Sequence, residues 1–320
     1  MLPFLLRFTN RAEKGLWLME KTAIKKKRMS KLEARKAKWG YVFLIPWLVM
    51  FCIFYAYPLV YGIVVSFTDF TLGSMKFTGL NNYKRILSDY AFWRSLTAML
   101  AYAVIVIPCQ VFLPMWMASI LRPHGGKFNT AVKLLTYLPG VTCSVALVLS
   151  WKFMLDPNMG MLATILRWFG VTGFSLFNSA KTAIPALSIL IVLSNLGNNL
   201  IIYSAALNSI PNDYYEAAEL DGATRSQQFN RITMPLLHPT IVYVFITATI
   251  AALQIFVIPQ LMTAGGPNYT TSTLLMMIYN TAFSNNQFGY ASAIGVILFI
   301  LTAIIAVIQF RVTKRDTVEY

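Results

Sequence analysis

The side chains best suited to covalent or acid–base chemistry are few and scattered. The chain has two histidines, His124 and His238, and three cysteines, Cys52, Cys109 and Cys143. No CxxC pair or metal spacing joins the cysteines. Each lies in an apolar run, where cysteine serves as a small packing residue. The histidines are far apart and sit at the edges of apolar runs, which points to structural roles. No Ser-His-Asp or Cys-His set has a candidate, and no GxxxxGK[ST] loop offers a phosphate cradle. The chain is therefore expected to be a non-enzyme with no metal site and no cofactor of its own. Two polar sets remain. One is the charged segment YYEAAELDGATRSQQFNRITMP at 214–235, which suits contact with a partner. The other is SNLGNN at 194–199, with Asn195, Asn198 and Asn199, joined by Gln254 and Trp151 elsewhere. Neutral amides and aromatic faces bind polar, uncharged solutes without burying charge.

These residues are positioned by apolar elements. The 320 residues are 57% hydrophobic and only 12% charged, against about 25% charged in soluble domains. Six stretches are long enough for a membrane helix of roughly 20 residues: 42–67, 97–121, 133–153, 183–207, 239–262 and 288–310. The expected fold is an all-α membrane protein with six transmembrane helices, because a barrel would show short alternating segments. Residues 1–40 form a basic tail, 41–310 the membrane domain, 208–238 the polar segment between spans four and five, and 311–320 a second tail. Leu2–Leu6 is too short for a signal peptide h-region, so the first long run is expected to be an uncleaved membrane helix.

The net charge of +15 raises the question of nucleic acid. Its distribution answers differently. Twenty of the 27 Lys and Arg lie in the tails and in the loops that alternate to the same side, and seven lie in the opposite loops. That is the positive-inside pattern, so both termini and the 208–238 segment are expected in the cytoplasm, with membrane lipid and not nucleic acid beside the basic tail. Trp39, Tyr41 and Trp47 suit interface anchors, and Met161 to Phe169 reads as an amphipathic piece along the outer interface.

The spans contain no Asp, Glu or His, which disfavours a proton relay, although a sodium site made of carbonyls and hydroxyls stays open. Pro46, Pro58, Pro108, Pro114 and Pro259 either kink their spans or allow flexure around a translocation path. Asn195, Asn198 and Asn199, at i, i+3 and i+4, share one helical face. With Gln254 and Trp151 they either line a substrate path or bond neighbouring helices.

In the charged segment, Pro211 suits the first turn of a helix, with Asn208 or Ser209 near its cap. Asp213 and Glu216 favour its positive end. Gly222 can end it in a left-handed conformation. Thr224 and Gln227 have capping-box spacing for a second helix that leads into span five. An acidic helix is repelled by anionic lipid, which favours a protein partner.

Glu216-Ala217-Ala218, Gly222, Ile232 and Met234-Pro235 have the order and spacing of the EAA motif, and the chain resembles the permease subunits of bacterial ABC importers. Met234 stands where the family pattern has leucine. IPNDYYEAAELDGAT, FTGLNNYKRIL, WKFMLDPNMGML, AGGPNYTTSTL and IYNTAFSNNQFGYASAIGVILF are similar to the carbohydrate branch, and the resemblance runs from about 50 to 320. It implies a type I ABC importer permease fold in the bacterial cytoplasmic membrane. The 214–222 helix becomes a coupling helix seated on a separate cytoplasmic ATPase dimer, which uses ATP and Mg. Glu216, Ala217, Ala218 and Gly222, with Glu219, Asp221 and Ala223 beside them, become its contact or shape residues. The other implied partners are a second homologous permease subunit, an extracytoplasmic solute-binding protein, and a sugar or oligosaccharide. Two alternatives stand beside this reading. One is a permease of the same kind for another solute such as glycerol phosphate. The other is a stand-alone secondary carrier, which leaves the EAA segment unexplained.

Overall fold

The computed structural model describes residues 31–71, 73–122, 126–170, 173 and 175–313. The basic tail before residue 31, His124 and the last seven residues lie outside these. The chain divides between Tyr61 and Gly62 into two units.

The first span starts as α1 (Lys31–Phe51), passes a π-helical turn at Cys52–Ala56 and continues as α2 (Tyr57–Ser66). Residues 31–40 are helical and continuous with the first span. The wide turn has a local cause. Pro58 has no N–H to give, and its ring presses on the carbonyl four residues back; in the π turn the Tyr57 N–H bonds the Cys52 carbonyl instead. Trp39, Tyr41 and Trp47 are all exposed along this span.

The second unit is helical apart from one hairpin, β1 (Thr68–Thr71) paired antiparallel with β2 (Ser74–Phe77), Thr68 opposite Phe77. This is the one departure from the all-α expectation among the described residues. The hairpin packs on a helix start: a Cβ on Gly289 would lie 2.0 Å from the Thr68 carbonyl oxygen. Short α3 (Asn81–Ser88) follows, then α4 (Tyr90–Leu121), which runs unbroken through Pro108 and Pro114. Those prolines do not divide their span.

The third expected span is broken. α5 (Lys127–Val141) and α6 (Ser144–Met154) meet at a bend of 101°. α7 (Met161–Trp168) is the short piece anticipated after it, with Trp168 and Phe169 about four-fifths exposed. α8 (Ala180–Asn208) is the central helix: 56% of its most apolar stretch is buried, against 22% for the last span. Next come α9 (Asp213–Leu220), α10 (Arg225–Gln228), a second π turn (Phe229–Thr233) and α11 (Met234–Leu253). Pro235 follows this π turn as Pro58 follows the first. The fifth span breaks after Leu253, at Gln254 and not at Pro259, and resumes as α12 (Val257–Thr263). α13 (Leu274–Tyr279), a π turn at Asn280–Ser284 and α14 (Phe288–Thr313) complete the chain.

Five helices are long and apolar enough to cross a bilayer, and the bent α5–α6 pair makes a sixth if it counts as one span. Such helices bury their backbone polar groups within themselves, as a bilayer demands. Cys52, Cys109 and Cys143 are all exposed.

Candidate functional site

Two places gather the polar residues singled out by the sequence. The first is the α9 corner. Asp213 and Glu216 occupy the first turn of α9. Asn212 is the N-cap but makes no side-chain cap bond, while Asn208 and Ser209 close α8 and Pro211 precedes α9. The start of α9 therefore differs from the expectation by about two residues, because α8 extends to Asn208.

The end of α9 forms as expected. Gly222 takes φ +74°. The Ala223 N–H donates to the Ala218 carbonyl at 2.9 Å, and the Gly222 N–H to the Glu219 carbonyl at 3.0 Å. This is a Schellman closure. A Cβ on Gly222 would meet nothing within 4 Å, so the backbone conformation and not crowding requires glycine. Two residues on, the Thr224 N–H donates to Gln227 Oε1 at 2.8 Å and the Gln227 N–H to Thr224 Oγ1 at 3.4 Å, completing the capping box. Glu216, Ala217, Glu219, Leu220 and Asp221 are exposed, whereas Ala218 and Ala223 are half-buried. Leu220, an apolar side chain, is 90% exposed at the tip.

Sequence reasoning missed the tie that holds this corner. The Arg122 guanidinium, at the end of α4, lies 3.9 Å from the Tyr215 ring centroid. Its Nη2 donates to the Ile210 carbonyl and to Asn212 Oδ1, both at 3.3 Å. The Tyr215 hydroxyl is 2.9 Å from Thr233 Oγ1 in the π turn.

The second place is a cavity of about 260 Å³ within the bundle. Both helix breaks open onto it: Pro139, Gly140, Thr142 and Ser144 at the α5–α6 bend with Leu147 and Val148 just after it, and Ala251, Ala252 and Ile255 to Ile258 around the α11–α12 break. Val106 and Gln110 from α4, and Ile191, Ser194 and Asn195 from α8, complete the wall. Irregular backbone at membrane depth is tolerated where it lines a cavity or is buried in protein. Asn195 is the one expected path residue in this wall; its Nδ2 donates to the Ile191 carbonyl of its own helix. Asn199 is buried and donates from Nδ2 to the Gln110 backbone carbonyl at 3.1 Å, tying α8 to α4. Asn198 and Gln254 are exposed, and Trp151 packs half-buried against apolar neighbours of the bundle. The five residues are thus not brought together, and the asparagine face is split between a cavity, a helix contact and an exposed side.

Two glycines explain the cavity's shape. A Cβ on Gly197 would lie 2.3 Å from the Thr136 carbonyl oxygen and 2.4 Å from the Tyr137 Cα; one on Gly140 would lie 3.2 Å from the Ser194 carbonyl oxygen. α5 and α8 cross backbone to backbone, as small residues permit in membrane helices.

Residues 91–316 match the family described as "Binding-protein-dependent transport system inner membrane component". The chain belongs to that family. It is a multi-pass membrane permease, a transport subunit. It is 31% identical over 279 residues to the Multiple sugar-binding transport system permease protein of Streptococcus mutans, covering 87% of this chain and 96% of that one. It is 30% identical to the Sulfoquinovosyl glycerol transport system permease protein of Agrobacterium fabrum, over 85% of this chain and 89% of the relative. The Trehalose/maltose transport system permease protein of Thermococcus litoralis is 29% identical, over 89% and 97% of the two chains. Among solved structures, a chain of a bacterial alginate ABC transporter, in complex with an alginate pentasaccharide-bound periplasmic protein, aligns with a TM-score of 0.78. It is 21% identical, and the match covers 88% of this chain and 96% of that one. That likeness establishes the type I ABC importer permease fold.

Proposed function

We propose that this permease is one of two membrane subunits of an ATP-driven importer for a sugar or oligosaccharide. In this reading the bent α5–α6 pair counts as one span, giving six, and both termini face the cytoplasm of a bacterial inner membrane. α9 is the coupling helix, seated on a separate ATPase dimer that uses ATP and Mg, while this chain holds no cofactor. An extracytoplasmic binding protein delivers the solute on the opposite face. The observation that carries the reading is the exposed α9: a short acidic helix locked at its end by Gly222, with the apolar Leu220 exposed at its tip. Two membrane states follow ATP only if contacts at such a helix differ between them.

The cavity wall supports a neutral saccharide. Gln110, Thr142, Ser144, Ser194 and Asn195 supply amides and hydroxyls, and the lining contains no charged side chain. Sugar or oligosaccharide transport in the named relatives points the same way.

The test is a gentle-detergent pull-down of the tagged permease, with every co-purifying subunit identified by mass. An ATPase and a second permease in stoichiometric amounts support the importer. A chain that emerges alone or as a homo-oligomer overturns it and favours a stand-alone carrier.

A further inference from the structure

We infer that Arg122 is a positioning residue, which with Tyr215 converts movement of α9 into movement of α4; this rests on the coupling role proposed for α9. Arg122 caps the end of α4, its backbone N–H still bonded to the Ala118 carbonyl at 3.1 Å. The side chain leaves that helix and engages the next corner three times: the Tyr215 ring face, the Ile210 carbonyl and Asn212 Oδ1. All three belong to the short stretch entering α9 or to α9 itself. Among the described residues no carboxylate pairs with Arg122, so its charge is answered by the aromatic face and by carbonyl dipoles.

Tyr215 also faces the other way. Its hydroxyl meets Thr233 Oγ1, and Thr233 is the buried last residue of the π turn from which α11 starts. One tyrosine thus joins α9 to the ends of two spans. A push on the exposed face of α9 can leave along the chain, back into α8 and on through Gly222 and α10, or across it. The crossing routes run through the Tyr215 hydroxyl to Thr233 and through Arg122 straight into α4, an unbroken 32-residue helix. Val106 and Gln110 of α4 form part of the cavity wall. The guanidinium plane suits this link, because it stacks on the ring and donates in its own plane at the same time, which an ammonium does not do.

The test uses the whole complex with its ATPase and partner permease, with Cys52, Cys109 and Cys143 of this chain replaced by serine. Spin labels are placed at the outward-facing Val104 on α4 and Ile308 on α14. The inter-label distance is read without nucleotide and with ATP plus vanadate. A second readout is cross-linking of the ATPase to a cysteine at Leu220. With the native Arg122, the nucleotide shifts the distance. In Arg122→Gln the shift is lost, although the nucleotide-free distance and the Leu220 cross-link are kept; Arg122→Lys restores part of it. A role in folding alone would alter the nucleotide-free distance as well. A full shift in Arg122→Gln overturns the inference. If that variant fails to assemble, Tyr215→Leu decides in the same way, since it removes the ring and leaves the cation in place. Failure of the ATPase to cross-link at Leu220 in the otherwise native complex instead overturns the coupling role of α9.

Discussion

The Tyr290 hydroxyl donates a 2.6 Å hydrogen bond to Asp89 Oδ2, pinning the start of α14 to the start of α4 across 201 positions of sequence. Asp89 also caps α4, with Oδ1 accepting from the Ala91 N–H at 2.8 Å. The Arg85 guanidinium lies 4.2 Å from the Tyr290 ring centroid. Asp89→Ala removes a cap and a charge-assisted bond together and should cost about 2–5 kcal/mol. Tyr290→Phe loses only the second and should cost about 1.5–3 kcal/mol. Unfolding free energies in mixed SDS micelles give the order; a Tyr290 variant less stable than the Asp89 variant would contradict it.

At Gly222 the backbone sets the requirement. Gly222→Ala should cost about 1–2 kcal/mol in α9 closure, since an L residue in a left-handed conformation pays that strain. Gly222→Asn should cost less. Because the space around it is empty, valine there should be no worse for steric reasons than its backbone preference dictates. Co-purification of the ATPase with the three variants measures the series, and equal recovery in all of them would refute the assignment.

Gly197 is the opposite case, limited by space. Gly197→Ala drives a methyl group into the α5 backbone at Thr136 and Tyr137 and should destabilise by about 1–3 kcal/mol or more. Unfolding in mixed micelles reads this directly.

Two asparagines of α8, the buried Asn199 and the exposed Asn195, should separate by phenotype. Asn199→Ala loses the bond to Gln110 and should cost about 0.5–1.5 kcal/mol of stability. Asn195→Ala, on the cavity wall, should leave stability near the native value and reduce saccharide uptake. Uptake unchanged in normally assembled Asn195 variants would remove that residue from the path.

Asp156 gives a pH prediction. The backbone N–H groups of Met159 and Asn158 donate to its carboxylate at 2.9 and 2.8 Å and hold its pKa below the usual carboxylate range. A folded-state pKa below the unfolded one stabilises the turn above the ordinary carboxyl value, and that contribution is lost as pH falls through the lowered value. Hydrogen exchange of residues 155–160 should therefore be pH-independent near neutrality, after correction for intrinsic rates, and accelerate only in strong acid. Asp156→Asn should remove the acid transition.

Much of this was legible in the sequence. The spans were visible because apolar runs of bilayer length are rare in any other setting, and the Gly222 closure and Thr224 capping box because both depend on local residue chemistry. The breaks were not. Pro108 and Pro114 sit inside an intact helix, while the sharp bend falls at Thr142–Cys143, beside the crossing of α5 and α8, and the helix of the fifth span is interrupted at Gln254. Gly197 within SNLGNN was the available signal for that crossing, a small residue in the middle of a membrane helix. The pairing of Arg122 with Tyr215 carried no signal, since it spans 93 positions and Arg122 belongs to no motif, while Tyr215 stood only as a neighbour of Glu216.

The bend between α5 and α6 also bears on how the protein is made. A kinked segment with freed amides and carbonyls is a poor solution in bare lipid. Its backbone-to-backbone neighbour, Gly197, is synthesised roughly 57 residues after Gly140. At about 5–20 residues per second that is a wait of roughly 3–11 s. During that interval α5 and α6 have no α8 to rest against, so the insertion machinery itself must shelter them, and the order of assembly becomes part of what the fold requires.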